Sequence, residues 1–544
     1  MESNVLMRVK RTMLEAFSWW WWGTSNNEDN LARMILILSV ITIAISWYIW
    51  TLNISMKGKL RLPPGPRGLP LLGSLPFADP ELHSYFQRLT STYGPIFKLK
   101  MGAKLMVVLG SPETAKEVLK DNDSIFAYRA PIISSLIISY GQSNIVSSPY
   151  GPQWRMLRTV FAQEVVGKMK LGVICDLRRQ DVRQTVMDVY SKVGTPINIR
   201  EQMFLTMLNM LTSMLWGGTL KGEERKNIGR EFKQVVEEII KLLGILNISD
   251  FLPILARFDI QGIEHQTKRV ALWLDRIFES TINKRIELDR GVGDGEHDQQ
   301  ETHDFLEVLL HLKDREDPKT PFTITHLKAL FSDIVVAGTD TTSTTFEWAM
   351  TEMMNNPKIM KKVQDELEKV VGRNNFVEEA DLPQLHYLNA VVKETLRLHP
   401  AVPLLIPRCP SESCIVGGYT IPKGAQVLVN AWAIQRDPEV WENPLKFEPE
   451  RFLRGTSKWD FKGNDFRYIP FGSGRRICAG IGVVERMLPH VLASFVHLFE
   501  WHLPEGVDLD LLEKFGIVLK KNTPLIVIPV PRFSERKLYC DDLH

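Results

Sequence analysis

The segment Phe471-Gly472-Ser473-Gly474-Arg475-Arg476-Ile477-Cys478-Ala479-Gly480 sets one cysteine among glycines and two adjacent arginines. Glycine permits the tight turns and close backbone approach that a flat ligand requires. Successive main-chain N–H groups in such a loop can point at a sulfur and stabilise its negative charge. A thiolate held in this way is an electron-rich ligand for haem iron, and its donation favours cleavage of the O–O bond. Arg476, two residues before the cysteine, suits a carboxylate such as a haem propionate. A plain glycine-rich turn around a buried cysteine is the bland alternative, and it leaves the arginines without a purpose. The other cysteines, Cys175, Cys409, Cys414 and Cys540, are scattered and form no C-x-x-C pair. They indicate neither a disulfide scaffold nor a zinc site and suit a reducing compartment.

A second stretch is Ala337-Gly338-Thr339-Asp340-Thr341-Thr342. Glycine and a run of hydroxyl residues are unfavourable inside an apolar helix. A threonine there can bond back to a carbonyl and bend the helix, which opens room for a small ligand. Solvated threonines at a kink are the competing reading. A third stretch, Glu394-Thr395-Leu396-Arg397, puts Glu394 and Arg397 three apart on one helical face. By itself that spacing fits a surface ion pair of little worth.

The cysteine loop resembles the haem-binding loop of the cytochrome P450 family, F-x-x-G-x-R-x-C-x-G. Phe471, Gly474, Arg476, Cys478 and Gly480 fill every fixed position. The resemblance runs from Pro63 to Pro531 and implies a mainly α fold with a small β portion, a triangular helical haem-thiolate domain. It makes Cys478 the axial ligand of haem b. It makes Asp340 a proton relay and Thr341 the residue that orients dioxygen. Glu394 and Arg397 join Arg451 of Pro449-Glu450-Arg451-Phe452 in a buried network behind the haem. Trp154, Arg158 and Arg408 become further propionate partners. Electrons would come from NADPH through cytochrome P450 reductase, with cytochrome b5 as a second donor, because the chain has no flavin or nicotinamide fingerprint of its own. Arg475 is a candidate for docking an acidic partner.

These residues need a frame to position them. Residues 95–110 alternate and then run apolar, as strands do. Residues 112–300 read mainly as amphipathic helices, among them Phe232 to Leu243 and Val270 to Leu288. Gly291 to His303 reads as a mobile surface loop. A long helix over about Ile324–Asn355 carries Asp340, and Ile481 to His497 continues as a helix after the cysteine loop. Past Pro400 come short strands and irregular chain. No composition shift after residue 70 argues for a second domain, so residues 71–544 form one catalytic unit.

Upstream, residues 34–56 contain no charge and are apolar almost throughout. As a helix they would span a bilayer of ~30 Å, with Trp47, Tyr48 and Trp50 at one interface. Lys57, Lys59, Arg61 and Arg67 follow, against Arg33 alone nearby upstream. The positive-inside rule then orients the body to the cytosol and residues 1–33, with their Trp19–Trp22 cluster, to the lumen of the endoplasmic reticulum. A cleaved signal peptide is the alternative, but the run lacks a small-residue cleavage motif. Residues 57–70, basic and then proline-rich, read as a stiff hinge.

The net charge of +2 offers no basic excess for nucleic acid. Ile132, Val335, Val336, Val402, Leu404, Leu405, Ile517 and Val518 fall in segments expected to wall the pocket, and their aliphatic character suits a hydrophobic small molecule. Ser213 to Gly218, Leu255 to Gly262 and Val416 to Tyr419 resemble the plant sesquiterpene hydroxylases of this family, such as cadinene 8-hydroxylase and valencene oxidase. Flavonoid and monoterpenol hydroxylases share much of the pattern. The expected activity is hydroxylation of a sesquiterpene or other terpenoid in secondary metabolism, with flavonoid or monoterpenol hydroxylation as the alternative. A haem-thiolate isomerase or dehydratase has no need of Asp340-Thr341, and a non-catalytic haem-binding protein has no need of the whole set.

Overall fold

The computed structural model describes residues 61–167, 175–217, 222–291, 304–314, 321–454 and 459–540, together with 34–43, 45–47, 49 and 172. The proposed luminal extension, part of the anchor, residues 57–60 of the hinge and loop residues 292–303 lie outside this set. The chain divides into two compact units. In the first, residues 34–43 and 45–47 are helical, and Met34, Ile35, Leu36 and Leu38 are exposed.

In the second unit, α1 (Leu82–Tyr93) leads into β1 (Ile96–Met101) and β2 (Lys104–Leu109). The expected strand pair is therefore present, antiparallel from Ile96↔Leu109 to Met101↔Lys104. The hinge prolines lie along it, with the Lys98 N–H donating to the Pro64 carbonyl at 2.7 Å and Lys98 Nζ to that of Pro63 at 2.7 Å. A Cβ on Gly65 would fall 2.0 Å from the Lys98 oxygen, so only glycine allows the strap this close.

Helices follow: α2 (Pro152–Val160), α3 (Cys175–Tyr190), α4 (Ile199–Trp216), α5 (Gly222–Gly244) and α6 (Ile263–Gly291). The central α7 spans Ile324–Asn355, as its periodicity predicts. It starts where Thr323 accepts the His326 N–H and the His326 ring accepts the Thr323 N–H, a reciprocal cap that satisfies two orphan donors. Then come α8 (Pro357–Val370), α9 (His386–Leu398), β3 (Gln426–Val429), α10 (Ile481–Leu498), β4 (Phe499–His502) and β5 (Ile526–Pro531). β3 joins β2 in parallel, and β5 pairs with β4 and with Ile197–Asn198.

α4, α7 and α10 are buried on nearly all sides, which makes them the interior of the helical layer. Where α4 meets α7, a Cβ on Gly338 would lie 2.8 Å from Leu211 Cδ1. Packing thus gives a reason for glycine at this point of α7. A smaller core forms against the three-stranded sheet, with Phe86, Phe97, Val108 and Leu404 in it.

Candidate functional site

The cysteine loop is a single 3-10 turn, Gly474–Arg476, leading into α10. The Cys478 N–H donates to the Phe471 carbonyl at 3.0 Å, which closes the loop on itself. Gly474 has φ +69°, and a Cβ there would fall 2.0 Å from the Leu119 carbonyl oxygen. A side chain would fail at this position twice over, on conformation and on space.

Cys478 is accessible to solvent, yet burial pushes its thiol up, while the N–H groups of Gly480 and Ile481 and the charge of Arg158 pull it down. Both properties hold together if the sulfur lines an internal cavity. On α7, Ala337 is exposed and Gly338 and Thr341 are half-buried, in a helix whose Thr339, Asp340 and residues 342–353 are buried. Thr341 Oγ1 donates back to the Ala337 carbonyl at 2.6 Å, the bond expected of a threonine at this point. The helical pattern nevertheless continues unbroken from Ile324 to Asn355.

Four guanidinium groups gather beside the loop. Arg476 donates to the carbonyls of Ala127 at 2.7 Å, Ile145 at 2.8 Å and Ser148, and its Cζ stands 4.7 Å from the Trp154 ring centroid. Arg408 Nη2 donates to the Ser473 carbonyl at 2.7 Å, while Arg408 Nη1 is buried with no partner among the described residues. Arg158 reaches the Cys478 carbonyl at 3.5 Å. Arg129, which sequence reasoning did not single out, donates to the carbonyls of Ile406 at 2.5 Å and Pro407 at 2.8 Å.

Burial and mutual repulsion act on this cluster. Arg476 is lowered to about 9, first by desolvation and then by Arg408 and Arg158. Desolvation takes Arg408 to about 10, and desolvation with Arg408 and Arg476 takes Arg129 well below its ordinary value. Guanidinium does not give up its proton near neutrality, so the arrangement calls for an anionic partner. Two carboxylates on a flat macrocycle above Cys478 would supply it. The residues present therefore fit haem: Cys478 would ligate the iron, and Arg129, Arg158, Arg408 and Arg476 would meet the propionates. Trp154 is beside them, but its Nε1–H is already given to the Ile145 carbonyl at 3.1 Å.

The structure also brings Glu394, Arg397 and Arg451 together. Arg397 grips Glu394 by two bonds of 2.7 and 2.8 Å, and Arg451 Nε reaches Glu394 Oε1 at 3.0 Å. Glu394 and Arg397 are wholly buried. This is not the exposed pair that their spacing alone would suggest. Arg475 pairs with Asp123 and Tyr150 and remains exposed.

Of the expected pocket wall, Ile132, Val336, Val402, Leu405 and Ile517 are half-buried. Val335, Leu404 and Val518 are packed in the interior. Leu404 and Leu405 part company because Leu405 adopts φ +50°, which turns successive side chains to different surroundings. Leu405 Cδ1 then lies 3.7 Å from where a Cβ of Gly472 would be, beside the cysteine loop.

A helical frame, a thiolate cradle and a cationic rim define a haem-thiolate oxidoreductase. The chain belongs to the cytochrome P450 family, whose model matches residues 63–528. Among similar proteins, a flavonoid 3'-monooxygenase of Crocosmia x crocosmiiflora is 39% identical over 485 residues, covering 87% of this chain and 93% of the relative. A flavonoid 3',5'-hydroxylase of Solanum melongena is 38% identical over 478 residues, covering 87% and 91%. A zebrafish cytochrome P450 structure with abiraterone matches with a TM-score of 0.69 at 26% identity, covering 83% of this chain and 100% of that one. The protein is a P450 monooxygenase that uses haem iron, O2 and NADPH-derived electrons delivered by a reductase, and it acts on a hydrophobic substrate.

Proposed function

We propose that this monooxygenase hydroxylates a flavonoid-type small molecule. The observation that carries the reading is the identity of about two residues in five, over nearly the full chain, with enzymes named for flavonoid 3'- and 3',5'-hydroxylation. This replaces the sesquiterpene expectation as the leading reading. The terpenoid reading keeps one specific support, the aliphatic lining at Ile132, Val336, Val402, Leu405 and Ile517.

Haem, when bound, supplies the iron at which dioxygen is reduced and its O–O bond cleaved. The chain's own residues do the rest. The Cys478 sulfur would hold the iron as a thiolate, with the Gly480 and Ile481 amides stabilising its charge. Thr341 orients oxygen in the space left beside Ala337 and Gly338, and Asp340 carries protons to it. The arginine rim fixes the propionates, and Glu394, Arg397 and Arg451 keep the supporting fold closed. The aliphatic lining excludes water and holds the substrate.

Residues 34–56 serve as a single-pass anchor in the endoplasmic reticulum, with residues 1–33 luminal, 57–70 a hinge and 71–544 the cytosolic catalytic body. Ile254, Phe258 and Ile260 are exposed on the catalytic body and support contact with lipid. Cytochrome b5 is a second electron donor.

The test uses membranes carrying the full chain and its reductase, supplied with NADPH, oxygen and separate panels of flavonoids and sesquiterpenes. A flavonoid hydroxylated on its ring is the expected product. Turnover of sesquiterpenes alone would overturn the flavonoid reading, and product formed without NADPH would overturn monooxygenation by this site.

A further inference from the structure

Asp340, Glu347 and Trp348 stand seven and eight residues apart and share one face of α7. That face meets a C-terminal hairpin in which Glu513–Lys514 pairs with Lys520–Lys521. Lys520 Nζ lies 2.7 Å from Asp340 Oδ1.

The strand is pinned on both sides of Lys520. Trp348 Nε1 donates to the Leu519 carbonyl at 3.1 Å, and the Leu519 N–H donates to the Ala401 carbonyl at 2.9 Å. Arg200, paired with Glu347 at 2.7 Å, donates to the Lys521 carbonyl at 2.5 Å. The partner strand is fixed as well, because Glu513 accepts from Arg436 at 2.5 Å and Trp432 at 2.9 Å and stands 3.0 Å from the His399 ring nitrogen. The ammonium is therefore delivered to Asp340 by a rigid strand, not by a mobile surface side chain.

The pair is asymmetric. The Asp340 side chain is 4% exposed and that of Lys520 is 29% exposed, so the lysine reaches water and the aspartate does not. Asp340 Oδ2 is buried with no partner among the described residues. A purely structural buried carboxylate spends both oxygens, as Glu394 does on Arg397 and Arg451. A surface pair would expose both partners. Asp340 fits neither pattern: one oxygen is held and the other is left for a proton.

We propose that Lys520 is a positioning residue for oxygen activation, holding the Asp340 carboxylate in place at the edge of solvent. The inference rests on the reading of Asp340 as proton relay. The overall reaction is R–H + O2 + NADPH + H+ → R–OH + H2O + NADP+, with both electrons coming from NADPH. The two protons that complete the water come from solvent, each binding the Asp340 carboxylate and then passing to the departing oxygen. The carboxylate is regenerated each time, and Lys520 keeps its own proton throughout.

The test uses the full chain with its reductase in membranes, comparing wild type with Lys520→Met, Lys520→Gln, Lys520→Arg and Asp340→Asn. Product per NADPH should fall roughly tenfold in Lys520→Met, less than the full worth of a positioned acid–base group, with peroxide taking the balance. Its solvent deuterium isotope effect on product formation should rise, and Lys520→Arg should restore both. Lys520→Gln is read in the same way if the methionine variant folds poorly. In thermal unfolding of the resting protein, the Lys520→Met and Asp340→Asn losses should be non-additive in the double variant. Wild-type coupling and isotope effect in both neutral variants would overturn the inference, as would additive unfolding losses or a failure of arginine to rescue. If Asp340→Asn itself stays fully coupled, the relay reading fails instead. If only Asp340→Asn uncouples, the role of Lys520 alone is lost.

Discussion

Asp333 on α7 and Arg476 beside Cys478 hold opposite ends of one peptide residue, Ile145. The Ile145 N–H donates to Asp333 at 2.8 Å, and its carbonyl accepts from Arg476 at 2.8 Å. Asp333 also takes the Val146 N–H at 3.3 Å and the Asn144 side chain at 2.6 Å. The helix that carries Asp340 and Thr341 thereby sets the height of the turn on which the cationic rim rests.

This relationship carries a pH dependence. Burial raises Asp333 to about 7, against the pull of its three donors and of Arg476. The folded state therefore keeps a proton that the unfolded chain has lost. Asp333's stabilising contribution is complete below the ordinary carboxylate range and is lost as pH rises through about 7. Asp333→Asn cannot ionise. Urea midpoints of wild type should thus decline relative to those of the variant as pH rises from the carboxylate range to neutrality, then run parallel. Parallel curves throughout would remove Asp333 as the cause.

Arg129 should matter to haem retention as much as the arginine of the cysteine motif. It bonds main-chain carbonyls 277 and 278 residues away and faces two other guanidinium groups. Arg129→Ala should speed haem transfer to an acceptor globin by roughly tenfold, the scale of supporting-residue losses at metal sites. Unchanged transfer would place the propionates on the other three arginines alone.

Arg397 should behave as a folding residue. Its guanidinium donates twice to Glu394 and also to the carbonyls of Gln435, Pro444 and Lys446. Arg397→Ala removes the main partner of a buried carboxylate, leaving Arg451 alone to pair it, at a cost of ~3–5 kcal/mol, a large part of an ordinary domain's stability. The reduced-CO difference band per unit protein should nearly vanish. Arg397→Lys keeps the charge but loses the planar fork, and so should recover only part of it.

What the sequence disclosed followed from how local each signal is. The span of α7 was legible because its helical pattern is continuous in the chain, whereas its Thr323–His326 cap emerged only in the structure. The cysteine loop was legible because glycine, arginine and cysteine lie within ten residues. Arg129 and Asp333 were not, since their partners, mostly main-chain groups, are distant in sequence and leave no local pattern. The split between Leu404 and Leu405 also escaped, because a positive φ at Leu405 is invisible in a run of aliphatic residues.

Thr341 offers the cleanest separation of cofactor binding from oxygen handling. Its hydroxyl is committed to the Ala337 carbonyl at 2.6 Å as donor, which leaves its lone pairs free to accept. Thr341→Val keeps the shape and deletes the hydroxyl, so the reduced-CO band should remain while product per NADPH falls and peroxide rises. Thr341→Ser retains donor and acceptor and should return most of the coupling. Cys478→Ala is the converse control: the thiolate-type band should disappear while the chain remains in the membrane fraction. A Thr341→Val enzyme with wild-type coupling would mean that Asp340, not the hydroxyl, carries the burden of oxygen activation.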